Sequence, residues 1–174
     1  MNNLEFPSPI VFPEGLNATD IQLIERQCEL QHAASPEQRL GFAKAYAAAK
    51  QLAQNEAKLK TLNAELLHTL VLEWATLIES RNQKGFRRVV VRFANGTTAL
   101  APELVDRAME QFVELYAEKN FTPEEAYREF ELIHPLEDGN GRLGDLLWKI
   151  AVTRETGTWP ESLPPDIFGV HAAT

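Results

Sequence analysis

A short segment between two helical patterns concentrates the residue types that could do chemistry. It begins at His134, continues through Asp138 and two glycines, and ends at Arg142. Glycines let backbone N–H groups approach an anion, and a helix that starts at such a loop adds its partial positive charge at the same place. Arg142 supplies a forked cation suited to phosphate, and His134 can accept a proton near neutral pH. The segment therefore predicts a phosphate-binding loop beside a proton acceptor.

Two carboxylates near this loop have opposite consequences for a phosphate ligand. Asp138 is a candidate ligand for Mg²⁺, because this ion commonly takes one or two protein carboxylates together with substrate phosphates. Asp145 lies three residues after Arg142, on the same face of a helix that begins near the arginine. Its charge would repel a phosphate chain unless a metal bridged the two or the side chain turned away. An Arg142–Asp145 ion pair is the alternative.

Two helices are predicted to hold the loop between them. Thr122 begins a capping pattern with Pro123-Glu124-Glu125. Pro135 disfavours helical geometry at His134 and so ends that helix. An apolar helix that runs from Leu143 to Ala151 follows the loop. The histidine and the glycines are therefore expected at helix ends.

A β-hairpin is predicted upstream of the loop. Residues 86–93 are β-branched, aromatic and basic, a composition that favours a strand. Asn95-Gly96 is the preferred two-residue hairpin turn. Residues 97–100 can form the return strand, which Pro102 would end. Since the rest of the pattern is helical, the predicted fold class is mostly α with one β-hairpin.

The first third of the chain is predicted to be an arm followed by helices. Residues 1–18 contain three prolines and show no periodicity, which indicates an extended arm. Thr19 can cap a first helix. Ser35-Pro36-Glu37-Gln38 is a stronger start signal, for an alanine-rich helix that continues to about Lys60. A stripe that recurs every four residues then predicts a core-facing helix: Leu62, Leu66, Leu70, Trp74 and Ile78.

The composition narrows the class of protein. The chain has 174 residues, of which 44% are apolar, enough for one domain with a buried core. Its net charge of -8 argues against binding nucleic acid through a basic surface. We see no membrane span and no secretory signal, and the single cysteine, Cys28, suits a reducing compartment. We therefore expect a cytoplasmic protein that binds neither membranes nor nucleic acids, with delivery into a host cell as an effector as the alternative.

The segment from His134 to Arg142 resembles the signature of the Fic family, His-Pro-Phe-x-(Asp/Glu)-Gly-Asn-(Gly/Lys)-Arg-x-x-Arg. Every defined position in this range agrees except Leu136, where Phe is usual. Family members place the loop between two helices and carry a short β-hairpin, the flap, upstream of it. Residues 85–102 lie where that flap would be. The resemblance covers roughly residues 60–156 and implies a Fic-like helical core.

The resemblance implies transfer of AMP from ATP to a hydroxyl side chain of a target protein, with release of pyrophosphate. His134 would deprotonate the hydroxyl, and Asp138 would hold Mg²⁺ on the α- and β-phosphates. The phosphate contacts would come from Gly139, Asn140, Gly141 and Arg142. Among these, Asn140 would bond the α-phosphate and Arg142 the β-phosphate. This assignment of roles suits phosphoryl-type transfer, which depends mostly on positioning the reactants and on stabilising the charge that develops.

The chain departs from the family pattern at Asp145, where the family has an arginine that contacts the γ-phosphate. Three alternatives stay open: weak use of ATP, a nucleotide donor without a γ-phosphate, or a degenerate module that binds without catalysing. The Doc branch, which phosphorylates its target, also lacks this arginine, but it carries lysine where this chain has Gly141. The family's inhibitory pattern, (Ser/Thr)-x-x-x-Glu-(Gly/Asn), is incomplete at both Glu65 and Glu73, and we infer no self-inhibition from it.

The predicted flap is the expected docking site for the target protein. The residues concerned are Arg88, Val89, Val90 and Val91. The resemblance implies that the flap binds an extended target segment by strand addition. The alternative is that the basic cluster protects an exposed strand edge from pairing with other chains. That cluster consists of Arg81, Lys84, Arg87, Arg88 and Arg92.

We expect one compact domain overall. Residues 61–156 would form the Fic-like core, and the arm and helices of residues 1–60 would pack on it. Residues 157–174 are rich in proline and are expected to form an irregular tail. The sequence leaves the target protein, the nucleotide donor and the oligomeric state open.

Overall fold

The protein is mostly helical, as predicted. The computed structural model describes residues 10–167, so that the start of the predicted arm and the end of the predicted tail lie outside the described residues. Within that range the α-helices are α1 (Ala18–Leu30), α2 (Pro36–Gln54), α3 (Glu56–Lys60), α4 (Ala64–Ile78), α5 (Pro102–Ala117), α6 (Pro123–Ile133) and α7 (Asn140–Thr156). A 3₁₀-helix covers Ser80–Lys84. None of the helices in this range is long and apolar enough to cross a membrane.

Local capping sets most of the helix starts. Ser35 caps α2 as predicted, with Pro36 in the first turn and Gln38 returning a hydrogen bond to the cap. Thr122 caps α6, also as predicted. The prediction of Thr19 as the cap of the first helix is wrong, because Asn17 and Asp20 form the capping box there.

The predicted long alanine-rich helix is interrupted at Asn55. Its side chain accepts a hydrogen bond from the backbone N–H of Lys58 at 3.1 Å and so begins the short helix α3. An asparagine side chain competes in this way with the helix's own hydrogen bonds. The helix predicted to reach Lys60 is therefore two helices, α2 and α3, with Asn55 between them.

The buried face of α4 differs from the predicted stripe. Its buried residues are Leu67, Val71, Trp74, Ala75 and Ile78. Leu66, which belongs to the predicted stripe, is 41% exposed. A strict four-residue step drifts by about 40° per step around an α-helix, so that a stripe of this period leaves the core within a few turns. Among the other members of the stripe, Trp74 and Ile78 are buried and Leu70 is partly buried against the core, whereas Leu62 is buried but lies before the helix begins.

Helix α7 lies at the centre of the protein. Helices α2, α4 and α6 pack around it, and nearly every residue from Asn140 to Ala151 is buried. The enclosed residues include charged ones, Asp145 and Lys149, so that their charges must be compensated inside the fold. The start of α7 is also the end of the candidate phosphate loop, and the core therefore holds this end of the loop in place.

The predicted β-hairpin is a turn with one isolated bridge, not a pair of strands. The bridge joins Arg92 and Thr98 in antiparallel fashion. The backbone N–H of Phe93 donates to the carbonyl of Thr97 at 2.7 Å, and that of Gly96 donates to the carbonyl of Phe93 at 2.9 Å. The loop therefore has three residues and not two, and Gly96 takes the positive φ of 87° that such loops require. No third strand supports the pair within residues 10–167, and two strands alone are marginal.

We call residues 86–101 the turn segment, and Arg87 anchors it to the end of α6. The Arg87 side chain is 1% exposed. Its guanidinium donates to the carbonyl oxygens of Val89 (2.9 Å), Leu100 (2.5 Å), Ile133 (3.1 Å) and His134 (2.6 Å). The backbone N–H of Arg87 donates to the carbonyl of Pro135 at 2.8 Å. Arg87 is therefore part of the interior, and it does not belong to an exposed basic cluster as the sequence suggested.

Arg87→Met tests this anchor. The change leaves several carbonyl oxygens at the end of α6 and in the turn segment without a donor, and we expect it to lower the free energy of unfolding by about 2–4 kcal/mol. The control is Arg88→Met, because Arg88 is exposed and pairs with Asp106 at 2.8 Å. That change should cost less than about 1 kcal/mol. Urea denaturation gives both values, and equal losses for the two variants would contradict the assignment.

Candidate active site

His134 ends α6 in a left-handed conformation. Its φ of 50° and ψ of 60° stop the helix just before Pro135, and its backbone N–H still donates to the carbonyl of Phe130 at 2.9 Å. The side chain is 22% exposed. The ring of Phe93 from the turn segment meets the imidazole edge-on, with 5.1 Å between the ring centroids. The imidazole therefore lies between the end of α6 and the turn segment and retains some solvent contact.

Asn140 closes the loop that follows. Its side-chain Oδ1 accepts a hydrogen bond from the N–H of Leu136 at 2.8 Å, and its Nδ2 donates to the carbonyl of the same residue at 2.9 Å. Asn140 is buried, and the two bonds hold the residues between it and Leu136 in a tight loop. One donor and one acceptor position of this amide are therefore used inside the loop, whereas the resemblance assigned the amide to a phosphate.

The N-terminus of α7 has no side-chain cap among the described residues. The N-cap residue is Gly139, with a φ of 90°. Its own N–H donates to Oδ1 of Asp138 at 2.8 Å. A Cβ at this position would lie 2.6 Å from Cγ2 of Ile78, so that packing and conformation both favour glycine here. A helix start without a capping side chain can offer its backbone N–H groups to an anion.

Arg142 lies one turn into α7, fully buried. Its Nη2 donates to Oε1 of Glu79 at 3.0 Å and lies 3.4 Å from Oδ1 of Asp138. Its other contacts, each at 3.4 Å, are the carbonyl of Ile78 and Oε1 of Gln31. The guanidinium thus borders the loop, but protein groups surround it. A phosphate could reach it only if Glu79 or Gln31 moved.

Asp138 is the exposed member of the site. Its side chain is 40% exposed, and its Oδ2 lies 3.7 Å from a guanidinium nitrogen of Arg81. Across residues 10–167 no group of three or more histidine, cysteine or acidic side chains could hold a metal ion. A single carboxylate fits Mg²⁺ only when phosphates and water supply the other ligands. The described residues around Asp138 therefore do not form a metal site by themselves.

Asp145 is buried away from Arg142, and the alternative of an Arg142–Asp145 ion pair is wrong. Its Oδ1 accepts a hydrogen bond from the ammonium of Lys149, and its Oδ2 accepts one from Nε2 of Gln27 at 3.0 Å. Lys149 also donates to the carbonyl of Ser162 at 3.0 Å. The carboxylate is therefore enclosed between α1 and α7, and a neighbouring cation compensates its charge.

Glu131 is a residue that the sequence analysis missed. It lies one turn before His134 on α6, and its Oε2 is 4.0 Å from Nδ1 of the imidazole. Burial raises the pKa of Glu131 to about 7, and the negative charge of Asp145 adds to the rise. Burial lowers the pKa of His134, which the backbone carbonyl of Glu131 partly offsets. The three-residue spacing of Glu131 and His134 on a helix was the available sequence signal.

Other residues at the site left no signal in the sequence. Glu79 follows α4 and reaches Arg142 and Gln38 across the fold. Gln31 follows α1, and its side chain would meet a Cβ at position 141 at 2.3 Å. Cys28, in contrast, is buried as expected of a core residue, and burial raises the pKa of its thiol to about 11. The site is thus built from distant segments that only the fold brings together.

Comparison with known proteins adds no family assignment. No protein-family model matches the chain, and no curated protein matches it. The similarity to the Fic pattern therefore rests on the residues from His134 to Arg142 and on their placement between two helices.

The buried Asp145–Lys149 pair gives a first prediction for this site. Lys149→Met leaves the Asp145 carboxylate buried without its cation, and we expect a loss of about 3–5 kcal/mol in the free energy of unfolding. The double variant Asp145→Leu/Lys149→Met removes both charges and should recover most of this loss. Thermal and urea unfolding measure both variants. A single variant as stable as the wild type would show that the pair does not compensate a buried charge.

Glu131 gives a second prediction, on pH dependence. Because the pKa of Glu131 is raised from 4.5 to about 7, the folded state holds this proton more tightly than the unfolded state. The associated stability is present below pH 4.5 and is lost as the pH rises through 7. Wild type should therefore lose up to about 3 kcal/mol relative to Glu131→Gln between pH 5 and pH 8. Urea unfolding across this range measures it, with the exposed Glu129→Gln as the control for the charge change.

Proposed function

We propose that this protein is a Fic-like nucleotidyltransferase that moves AMP from ATP onto a hydroxyl side chain of a target protein. One observation carries the proposal. The motif residues form a tight loop that joins a histidine at the end of one helix to a helix start without a side-chain cap among residues 10–167. Such a helix start attracts phosphate, and a histidine beside it can accept a proton from the attacking group.

These positions support the following transfer reaction. The target hydroxyl gives its proton to Nε2 of His134, and its oxygen forms a bond to the α-phosphorus of ATP. The bond between that phosphorus and the bridging oxygen to the β-phosphate breaks, and pyrophosphate leaves with the electron pair. The N–H groups at the start of α7 would stabilise the charge that develops on the α-phosphate. Arg142 would neutralise the leaving pyrophosphate once its contacts with Glu79 open.

Asp138 would hold the Mg²⁺ that accompanies the nucleotide. Its carboxylate is 40% exposed, and its backbone is held by Asn82, whose Nδ2 donates to the Asp138 carbonyl at 2.9 Å. When bound, Mg²⁺ supplies positive charge to the phosphate oxygens. The ion pair with Arg81 at 3.7 Å is long and exposed, so that it opposes metal binding only weakly.

The turn segment is the proposed docking surface for the target. Val89 and Val90 are 49% and 63% exposed, and Arg88 is exposed beside them. Val91 is half-buried, and its carbonyl accepts a hydrogen bond from Ala99 at 2.9 Å. A target strand added along these residues would lie next to Phe93, which contacts His134.

The position of Asp145 bears on the choice of donor. Its carboxylate is paired with Lys149 and enclosed between α1 and α7, so that it does not face the loop. Because it would then not repel a γ-phosphate, this position supports ATP as the donor.

A second candidate function is a non-catalytic nucleotide-binding or interaction module. The complete burial of Arg142 and its pairing with Glu79 favour that candidate, since the proposed phosphate ligand is already engaged.

Incubation of a lysate with the protein, Mg²⁺ and a mixture of nucleotide donors, followed by mass spectrometry of the proteins, tests the proposal. AMP-modified peptides should appear with wild type and should be lost with His134→Ala. His134→Asn should behave in the same way and tolerates the left-handed backbone better. The control is His32→Asn, since His32 is exposed with a φ of 53°.

Three outcomes separate the candidates. Undiminished labelling by both His134 variants would overturn the proposed mechanism. Nucleotide binding by wild type without any modified peptide would favour the binding module. A different added mass would identify another phosphate-linked group as the one transferred.

A further inference from the structure

Two side chains at the end of α6, one of them the proposed base, each have a buried polar atom without a partner among the described residues. Nδ1 of His134 and Oε1 of Glu131 are buried and have no hydrogen bond to any described residue. The other carboxylate oxygen of Glu131, Oε2, is 4.0 Å from Nδ1. Both side chains project from consecutive turns at the end of α6. Unpaired buried polar groups are rare in folded proteins because each forfeits hydrogen bonds to water.

A small movement of Oε2 of Glu131 would give Nδ1 of His134 an acceptor. A hydrogen bond from N–H to a carboxylate oxygen spans about 2.7–2.9 Å, so that side-chain rotation must shorten the present distance by about 1 Å. The other acceptor close to the imidazole is the backbone carbonyl of Glu131, whose effect on the pKa of His134 is to raise it. The ring of Phe93, on the turn segment, offers no acceptor to Nδ1.

We propose that Glu131 is the positioning residue for His134: its carboxylate accepts the hydrogen bond of Nδ1–H and thereby leaves Nε2 without a hydrogen and ready to accept a proton. The inference rests on the proposed function in assigning His134 as the base. A carboxylate bonded to one imidazole nitrogen fixes both the tautomer and the orientation of the ring. It also stabilises the imidazolium that forms when Nε2 takes the proton.

Helix α7 leaves room for the Glu131 carboxylate at Gly144. A Cβ at position 144 would lie 2.4 Å from Oε1 of Glu131, so that only Gly144 leaves the space that the carboxylate occupies. Phe130 and Tyr127 line the same space at 3.3 Å from that Cβ position. The glutamate is thus held by its own helix on one side and by α7 on the other.

Charged and titratable groups surround the pair on every side. Asp145 (α7) acts on Glu131, Arg87 (turn segment) and Asp138 (loop) act on His134, and the charge of Glu131 in turn raises the pKa of Tyr127 (α6). Burial and the charge of Asp145 together raise the pKa of Glu131 to about 7, so that its carboxyl group ionises near neutral pH. When this group is protonated it can donate to Nδ1, which moves the imidazole hydrogen to Nε2 and removes the base. The rate of AMP transfer should therefore increase as the pH rises through about 7.

NMR of the histidine rings in the full chain tests the pairing without reference to activity. The His134 signals among the four histidines are assigned by their loss in His134→Asn. At pH 8, nitrogen shifts of wild type should show the hydrogen on Nδ1. Glu131→Gln should lose this preference and lower the pKa of His134, because the carboxylate that stabilises the imidazolium is gone. Glu129→Gln makes an equal charge change on the exposed side of α6, and it should leave the tautomer preference and the pKa of His134 unchanged.

Kinetics of AMP transfer provide the second measurement. Glu131→Gln should lower kcat by about 100-fold, as expected for a misplaced catalytic group, and change the KM for ATP less than about twofold. The rise in kcat near pH 7 should disappear in this variant. Gly144→Ala, which displaces the carboxylate while keeping it, should lower kcat in the same direction and weaken the Nδ1–H preference.

The outcomes separate this proposal from the proposed function. If Glu131→Gln changes neither the tautomer nor the pKa of His134, the backbone carbonyl alone orients the ring, and the positioning role is wrong even when transfer occurs. If the NMR effects appear but wild type transfers no group, the Glu131–His134 pair stands and the proposed function fails. Retained kcat in Glu131→Gln would also overturn the positioning role.

Discussion

The buried guanidinium of Arg87 is the contact on which the candidate site depends. It binds carbonyl oxygens at the end of α6 and at both ends of the turn segment. The last carbonyls of a helix lack partners within the helix, and a cation there also complements the helix dipole. The end of α6, and with it His134, is therefore tied to a segment that has almost no regular structure of its own. The contact between Phe93 and His134 follows from this connection.

Because α7 is buried at the centre of an acidic chain, each buried charged side chain needs its own partner of opposite charge. Arg142 is balanced by Glu79 and Asp138, and Asp145 by Lys149. Lys50 and Asp20 form a further enclosed pair at 2.5 Å. Such pairs add little net stability because both charges lose their hydration, but removal of one partner is costly. The positive charge of Arg142 is thus already paired with carboxylates, and a nucleotide of the kind proposed above would have to compete with Glu79 for it.

Local features of the fold could be read from the sequence. Ser35 and Thr122 begin helices because their side chains bind N–H groups only three residues away. His134 ends α6 because Pro135 is its covalent neighbour. The contacts that decide the site are distant in sequence: Asp145 with Gln27, Arg142 with Glu79, and Arg87 with the end of α6. Their partners depend on how the helices pack, and one sequence does not specify that. The core face of α4 was misjudged because a repeat of four residues approximates 3.6 only over a short stretch.

In the turn segment, too, the sequence pattern alone did not determine whether strands form. Its β-branched residues and its Asn95-Gly96 pair favour a hairpin, yet the chain supplies no third strand within residues 10–167 to pair with it. Arg87 takes over the role that a neighbouring strand would have, since it binds backbone carbonyls directly. The carbonyl of Val89 is thereby bound to Arg87, whereas the backbone N–H and carbonyl of Val90 bind no other described residue.

In its two hydrogen bonds to Leu136, the side-chain amide of Asn140 takes the place of backbone peptide groups. A carboxamide offers an acceptor oxygen and N–H donors, and Asn140 uses one of each to pair with the N–H and the carbonyl of Leu136 as a residue of a neighbouring strand would. Aspartate has the shape but lacks the donor, and leucine has the volume but lacks both. The loop therefore closes on itself with the hydrogen-bonding pattern of a sheet, although no strand is present in it.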